Sequence, residues 1–242
     1  MLEKLKNGLI VSCQAHESEP MHGSIFMAAM AKAAEMAGAV GIRANGPENI
    51  RAIRAAVKLP IIGIYKIRNP LYSVYITPTV EAAIAIKEAG ADIIAIDCTF
   101  NERESGLTAA EMIRATKRIT GLPVMADIST CEEGIAAEEA GADLVATTLA
   151  KAKKTDESYD DEQGGYKPIV EHAPPSLDLI SELCCNVRLP IIAEGRFWEP
   201  EQVVEALKRG AHAVVVGTAI TRPSEITHRF VRAINKYIND IQ

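Results

Sequence analysis

The chain has 242 residues, 48% hydrophobic and 24% charged, with a formal net charge of −6. These proportions suit a globular fold around one large core, and the acidic balance argues against nucleic acid as a partner. Apolar runs fall short of the ~20 residues a membrane-spanning helix needs, and the first residues lack a secretory signal pattern.

Cys13, Cys98, Cys131, Cys184 and Cys185 are odd in number and show neither disulfide nor zinc spacing. They read as reduced thiols of a cytoplasmic protein. With no Pro/Ser-rich linker, residues 1–242 are expected to form a single domain.

Residues 1–7 predict a short amphipathic helix across one end of the fold. Residues 8–13 are a first apolar strand ending at Gln14, and the polar loop AHESEPMHGS leads into an alanine-rich helix over 25–37. A second strand, 39–42, ends at Arg43 and Asn45. Pro47 and Glu48 suit the first turn of the helix that follows, to Val57. The third strand is LPIIGIYK, 59–66: a proline opens it, β-branched residues fill it, and Lys66 closes it. Proline is tolerated at the first residue of a strand because a ladder hydrogen bond can be forgone there. The insertion NPLYSVYITPT predicts an irregular β segment or lid, and Thr79 is placed to cap a helix over 80–89.

The fourth strand, 92–96, ends in Asp97-Cys98-Thr99, and its loop carries Arg103. Thr108 and Glu111 have the spacing of a capping box. LPVMAD, 122–127, ends at Asp127, with Ser129 and Thr130 ready to cap the next helix. The sixth strand ends at Thr147 and Thr148. The polar stretch 151–174 is the one long irregular piece, of the kind that forms lids or flaps. A helix over 176–185 leads to LPIIAEG, 189–195, which ends at Glu194 and Gly195. The eighth strand ends in GTAITRP, with Gly217, Thr218 and Arg222, and a helix over 225–238 is expected to close the fold.

Two phrases alternate along this path. LPxxxx opens the strands at 59, 122 and 189, while EAGADIIAID, EAGADLVATT and KRGAHAVVVG mark a helix end, a glycine break and another strand. Eight such βα steps in this length predict a (β/α)8 TIM barrel of the phosphate-binding type. An open doubly wound sheet is the alternative, but no strand is followed by GxGxxG.

In a barrel the strand ends share one mouth, so Gln14, Arg43, Lys66, Asp97, Asp127 and Glu194 are expected to meet there. Gly195, Gly217 and Thr218 offer backbone N–H groups, and Arg222 a cation, for a phosphate. Neither a metal-ligand cluster nor a dinucleotide motif is present, so the chemistry falls to side chains and no cofactor is called for. A lysine in a barrel mouth serves as a Schiff-base nucleophile or as a general base, and Glu194 suits a proton-shuttling partner. That set fits proton abstraction beside the carbonyl of a phosphorylated sugar, with isomerase, epimerase, aldolase and synthase all open.

The runs GLIVSCQA, GAVGIRAN, PIIGIYK, VYITPT, GADIIAID, MADIST, IIAEG and VVGTAITRP resemble the N-acylglucosamine-6-phosphate 2-epimerase family over nearly the whole chain. The resemblance implies a cofactor-independent enzyme of sialic acid catabolism. It would interconvert N-acetylmannosamine 6-phosphate and N-acetylglucosamine 6-phosphate by moving the proton at carbon 2. It puts the catalytic roles on Lys66 and Glu194, substrate binding on Gln14, Arg43 and Asp127, and the phosphate-side arginine on Arg222. The partner it implies is a small sugar phosphate, with a homodimer as the assembly admitted. DCTFNERESG and TTLAKAKKT depart from the family's DATxRxRPDG and TTLSGYT, in loops of the expected active face. A Schiff-base aldolase or synthase on Lys66, and a non-catalytic phosphosugar-binding barrel, remain as alternatives.

Overall fold

The structure is a computed structural model that describes residues 1–150 and 173–241. Its eight strands are β1 (Gly8–Cys13), β2 (Gly41–Asn45), β3 (Ile61–Ile64), β4 (Ile93–Asp97), β5 (Val124–Asp127), β6 (Leu144–Ala146), β7 (Ile191–Glu194) and β8 (Ala213–Val216). All pair in parallel, in chain order, and β8 returns to β1 to close the barrel. The helices are α1 (Ser24–Met36), α2 (Pro47–Ala56), α3 (Val80–Glu88), α4 (Ala109–Thr120), α5 (Cys131–Ala140), α6 (Leu177–Asn186), α7 (Pro200–Lys208), the short α8 (Thr218–Thr221) and α9 (Pro223–Asp240). The barrel expected from the alternating phrases is the fold observed, with strand ends within three residues of expectation.

Period-two alternation splits the apolar residues into two cores. Ile10, Ile62, Ile64, Ile93, Ala95, Met125, Leu144, Ala146, Ile192, Ala213 and Val215 fill the barrel interior. Their neighbours Val11, Ile42, Ile61, Ile94, Ile96, Val124, Ala126, Val145, Ile191, Ala193 and Val214 pack outward under the helices. Leu2–Leu5 forms a 3-10 turn whose Leu5 plugs the interior from the N-terminal end, as the amphipathic start predicts.

Local capping sets the helix entries. Thr79 accepts from the Ala82 amide, and Thr108 with Glu111 and Thr130 with Glu133 form complete capping boxes. The last helix departs from expectation. Of α9 only Glu225 is buried, while Phe230, Ile234, Tyr237 and Ile241 stand exposed, so α9 does not close the barrel with its own apolar face. No helix among the described residues is long and apolar enough to cross a membrane.

Candidate active site

Alternation decides which strand-end groups face the mouth. Counting inward positions by twos from Ile10, Ile62, Met125 and Ile192 reaches Gln14, Lys66, Asp127 and Glu194. Arg43, whose neighbours Ile42 and Ala44 point outward, also faces in, level with Ser12 and Ile62.

Arg43 is closed to solvent and lies at the centre of the ionic arrangement. Its Nη1 and Nη2 donate to Asp127 Oδ1 at 3.1 Å and Oδ2 at 2.5 Å, a bidentate pair between residues of non-adjacent strands. The same Nη1 stands 2.9 Å from Glu194 Oε2. Asp127 is also sealed, whereas the Glu194 side chain keeps 13% of its surface exposed. Of the three, Glu194 is the member a substrate can reach. Arg43 and Asp127, expected to bind substrate, are seen holding each other and bracing Glu194.

The Thr148 hydroxyl lies 2.8 Å from Asp127 Oδ1 and 3.3 Å from Glu194 Oε2, within donating reach of either. Thr147 fixes the backbone of Glu194 from both sides, donating to its carbonyl and accepting from its amide. The sequence reading placed these threonines at the strand end without giving them a role; the polar pair closing an otherwise apolar strand was the signal.

Burial pushes the Glu194 carboxyl up to about 7, and nearby Asp127 adds to the rise; Arg43, Lys66 and the Thr148 hydroxyl oppose it. A carboxyl poised near neutrality exchanges a proton readily under ordinary conditions. The Lys66 charge is thus close enough to be felt by Glu194.

The lysine's backbone is held by the segment that the sequence marked as an irregular β piece. Lys66 bridges Ile76 in antiparallel fashion, its amide donates to Asn45 Oδ1 at 2.9 Å, and Thr77 closes the fold-back onto Tyr65. The Tyr75 ring lies 6.0 Å from Lys66 Nζ and 4.4 Å from the Arg68 guanidinium. Two strands away, after β1, Gln14 Nε2 donates to Ser12 Oγ at 2.7 Å, and its Oε1 is buried with no hydrogen-bond partner among the described residues. Buried amide oxygens are as a rule hydrogen-bonded, so this acceptor is a candidate contact for a bound molecule.

Asp97 faces the mouth beside Asp127, its register partner. Burial raises its carboxyl, but one oxygen is taken by the Thr99 amide and hydroxyl at 2.9 and 2.7 Å, which fits a supporting role. Cys98 turns outward into the helix-side core, and burial pushes its thiol well above the usual range. Arg103 is buried near both, and its three guanidinium nitrogens have no hydrogen-bond partner among the described residues. His16 and His22 lie on the rim of the β1–α1 loop. The KAKK run and nearly all of 151–174 fall outside the described residues.

The anion-binding expectation falls on the ends of β7 and β8. Gly195 has φ +109°, a backbone conformation that side chains rarely adopt. Gly217 passes so close to β1 that an added Cβ would sit 3.3 Å from Ser12 Cβ. It leads into α8, where the Thr221 hydroxyl donates to the Ser12 carbonyl at 3.0 Å. Arg222 follows, its Nε 3.5 Å from Glu19 Oε1. Gly195 thus belongs to the end of β7, and Gly217, Thr218 and Arg222 to the end of the adjacent β8, which pairs with β1.

Fold and site together define a (β/α)8 barrel whose mouth gathers buried ionisable side chains from several strand ends. Its family is more specific. A family model described as "Putative N-acetylmannosamine-6-phosphate epimerase" matches residues 27–236, and the chain belongs to that family. A relative from Caldanaerobacter subterraneus subsp. tengcongensis, carrying that description as a 2-epimerase, is 52% identical over 98% of this chain and 94% of its own. One from Shouchella clausii, described alike, is 43% identical over 97% of this chain and 98% of its own. The solved N-acetylmannosamine-6-phosphate 2-epimerase from Clostridium perfringens superposes with a TM-score of 0.84 at 40% identity, covering 96% of each chain. Thiamine phosphate pyrophosphorylase from Pyrococcus furiosus shares the fold alone, with a TM-score of 0.58 at 16% identity. The resemblance drawn from the motifs is borne out.

Proposed function

We propose that this protein interconverts N-acetylmannosamine 6-phosphate and N-acetylglucosamine 6-phosphate by proton transfer at carbon 2 of the open-chain sugar. The observation that carries this reading is Glu194, raised to about 7, braced by the buried Arg43–Asp127 pair and within the electrostatic reach of Lys66. Family membership supplies the substrate.

In the open-chain sugar carbon 1 is an aldehyde, so loss of the carbon-2 proton yields an enolate. Lys66, as the neutral amine, takes that proton. Protonated Glu194 donates a hydrogen bond to the developing enolate oxygen, where a preformed donor is most effective. Arg43 and Asp127 fix the orientation of Glu194, and their opposed charges keep its proton poised. Gln14 Oε1, without a partner among the described residues, accepts from a substrate N–H or O–H. Reprotonation on the opposite face, by Lys66 after the enolate rotates or by a second acid, inverts the centre. The phosphate sits over the Gly195 and Gly217 backbones and the start of α8 at Thr218, with Arg222 as its cation.

A second copy of the chain is the partner that suits α9. Phe230, Ile234, Tyr237 and Ile241 recur at i, i+4, i+7 and i+11, forming one apolar stripe that its own barrel leaves uncovered. A homodimer would bury the stripe. Sedimentation should then give twice 26.1 kDa, and Phe230→Asp with Ile234→Asp should give 26.1 kDa. A sugar-phosphate substrate and the reduced thiols fit a cytoplasmic location.

Proton NMR of N-acetylmannosamine 6-phosphate with the protein in deuterated water tests the reaction. Epimerisation with deuterium entering carbon 2, acetyl and phosphate intact, is the expected result. A covalent adduct trapped by borohydride would favour a Schiff-base aldolase or synthase, and binding without turnover a phosphosugar-binding protein.

A further inference from the structure

Arg196 stands two residues past Glu194 and takes no part in the proposed chemistry. Its backbone lies in the left-handed region at φ +62°, directly after Gly195 at +109°. A residue with a side chain costs energy there and persists where its surroundings fix it. Three of its donors reach two separate segments. Nη1 donates to the Ala150 carbonyl at 2.6 Å, Nε to the Pro174 carbonyl at 3.0 Å, and Nη2 to Ser176 Oγ at 2.6 Å. Pro174 and Ser176 lead into α6. Ala150 ends the turn after β6, its amide donating to the Thr147 carbonyl at 3.1 Å. That turn carries both hydroxyls that meet Glu194: Thr147 at its backbone and Thr148 at its carboxylate.

We infer that Arg196 is a positioning residue for Glu194, holding the 147–150 turn against the end of β7 so that the two threonine hydroxyls stay in place. Gly195 alone separates Glu194 from Arg196, so one strand end carries both the carboxylate and the grip on its neighbours. Glycine would take the Arg196 backbone more easily, so the turn itself gives no reason for an arginine. A planar fork of donors that can serve two segments at once does give one. Arg43, Lys66, Asp127 and Thr148 act on the Glu194 carboxyl from the ends of β2, β3, β5 and β6. Of these, Thr148 lies in the turn that Arg196 holds, and its hydroxyl favours the ionised carboxylate. This inference deepens the sugar-phosphate reading above and rests on it for the role of Glu194.

The test follows the Glu194 carboxyl by carbon-13 NMR of the full chain labelled at glutamate, with Glu194→Gln to assign its signal, beside turnover of N-acetylmannosamine 6-phosphate. The wild type is compared with Arg196→Gly, Arg196→Lys, Thr148→Val and the variant combining Arg196→Gly with Thr148→Val. Arg196→Gly removes the fork while easing the backbone. It should move the Glu194 titration to higher pH, as Thr148→Val does, because the hydroxyl that favours the ionised form is no longer held. The combined variant should titrate like Thr148→Val alone, since both changes act through one contact. In Arg196→Gly, kcat should fall by about ten- to a hundredfold, as for a reacting group displaced by up to about 1 Å, with KM within about threefold. Arg196→Lys keeps the charge but not the fork, so its titration should move the same way; it decides the matter if Arg196→Gly does not fold. A residue that only staples the two segments would lower the melting temperature and leave the Glu194 titration in place, and that result overturns the inference. So does a shift in Arg196→Gly that adds in full to that of Thr148→Val. If the wild type turns over no sugar phosphate, the functional reading falls, while the titrations still decide for or against the positioning of Glu194.

Discussion

Two arginines face the two halves of the barrel mouth in different electrical company. Arg43, on the β2 side, has 1% of its side chain exposed and two carboxylates within 3.1 Å, Asp127 and Glu194. Arg222, on the β8 side, has 11% exposed, with Glu19 at 3.5 Å. A guanidinium enclosed by two acids has no charge left to offer an incoming anion. Its effect is to set the orientation and proton affinity of Glu194. The Glu19 carboxylate stands farther from Arg222 than either acid stands from Arg43. Residue type alone makes the two equivalent; their partners differ, and the proposed function places Arg43 with the reacting carboxylate and Arg222 with the phosphate.

The strongest test of the reacting half is Lys66→Met. It should fold as the wild type does and lose turnover by about 10²–10⁴-fold, the usual range for a positioned acid/base group, while KM changes little. Single-turnover deuterium incorporation measures this, and near-normal turnover would abolish the distinction between the halves.

Arg43→Met should come next. It leaves Asp127 and Glu194 buried without their guanidinium, and removal of one partner from a buried ion pair costs about 3–5 kcal/mol in urea unfolding. Arg222→Ala leaves the buried Glu19 carboxylate without this cation, so it should destabilise, though less than Arg43→Met, while raising KM. Equal destabilisation by the two would erase the comparison.

Glu194→Gln sharpens it through pH. Burial raises the folded-state value from 4.5 to about 7, so between those values the folded chain holds a proton that the unfolded chain releases. Stability therefore declines as pH rises through that window. Glutamine carries no such proton, and denaturant unfolding of Glu194→Gln at pH 5 and pH 7.5 should show that contribution gone.

Cys98→Ser should have the smallest effect on activity. The thiol faces the helix-side core and is pushed far from its ionised form, so most of the activity should remain. A loss comparable to that of Lys66→Met would move the reacting half onto β4.

The barrel was legible because its signals are local. A proline opening a β-branched run, a glycine ending a helix and a TxxE box each act over a few residues, and their repetition counted the βα steps without any tertiary contact. The inward direction of Lys66, Asp127 and Glu194 was equally local, because alternation along a strand depends only on the strand. What the tertiary structure alone decided were the pairings across the barrel. Arg43 meets Asp127 from 84 residues away, and Glu19 meets Arg222 from the other end of the chain. Such contacts depend on strand register, where a slip of one residue turns a side chain to the opposite face, and on how deeply each group is buried. Burial also raised Glu194 toward neutrality, a property of the closed barrel that no stretch of sequence carries. The last helix follows the same logic: its apolar stripe is plain in the sequence, but whether the stripe faces its own barrel or solvent is decided by the space that the other helices leave.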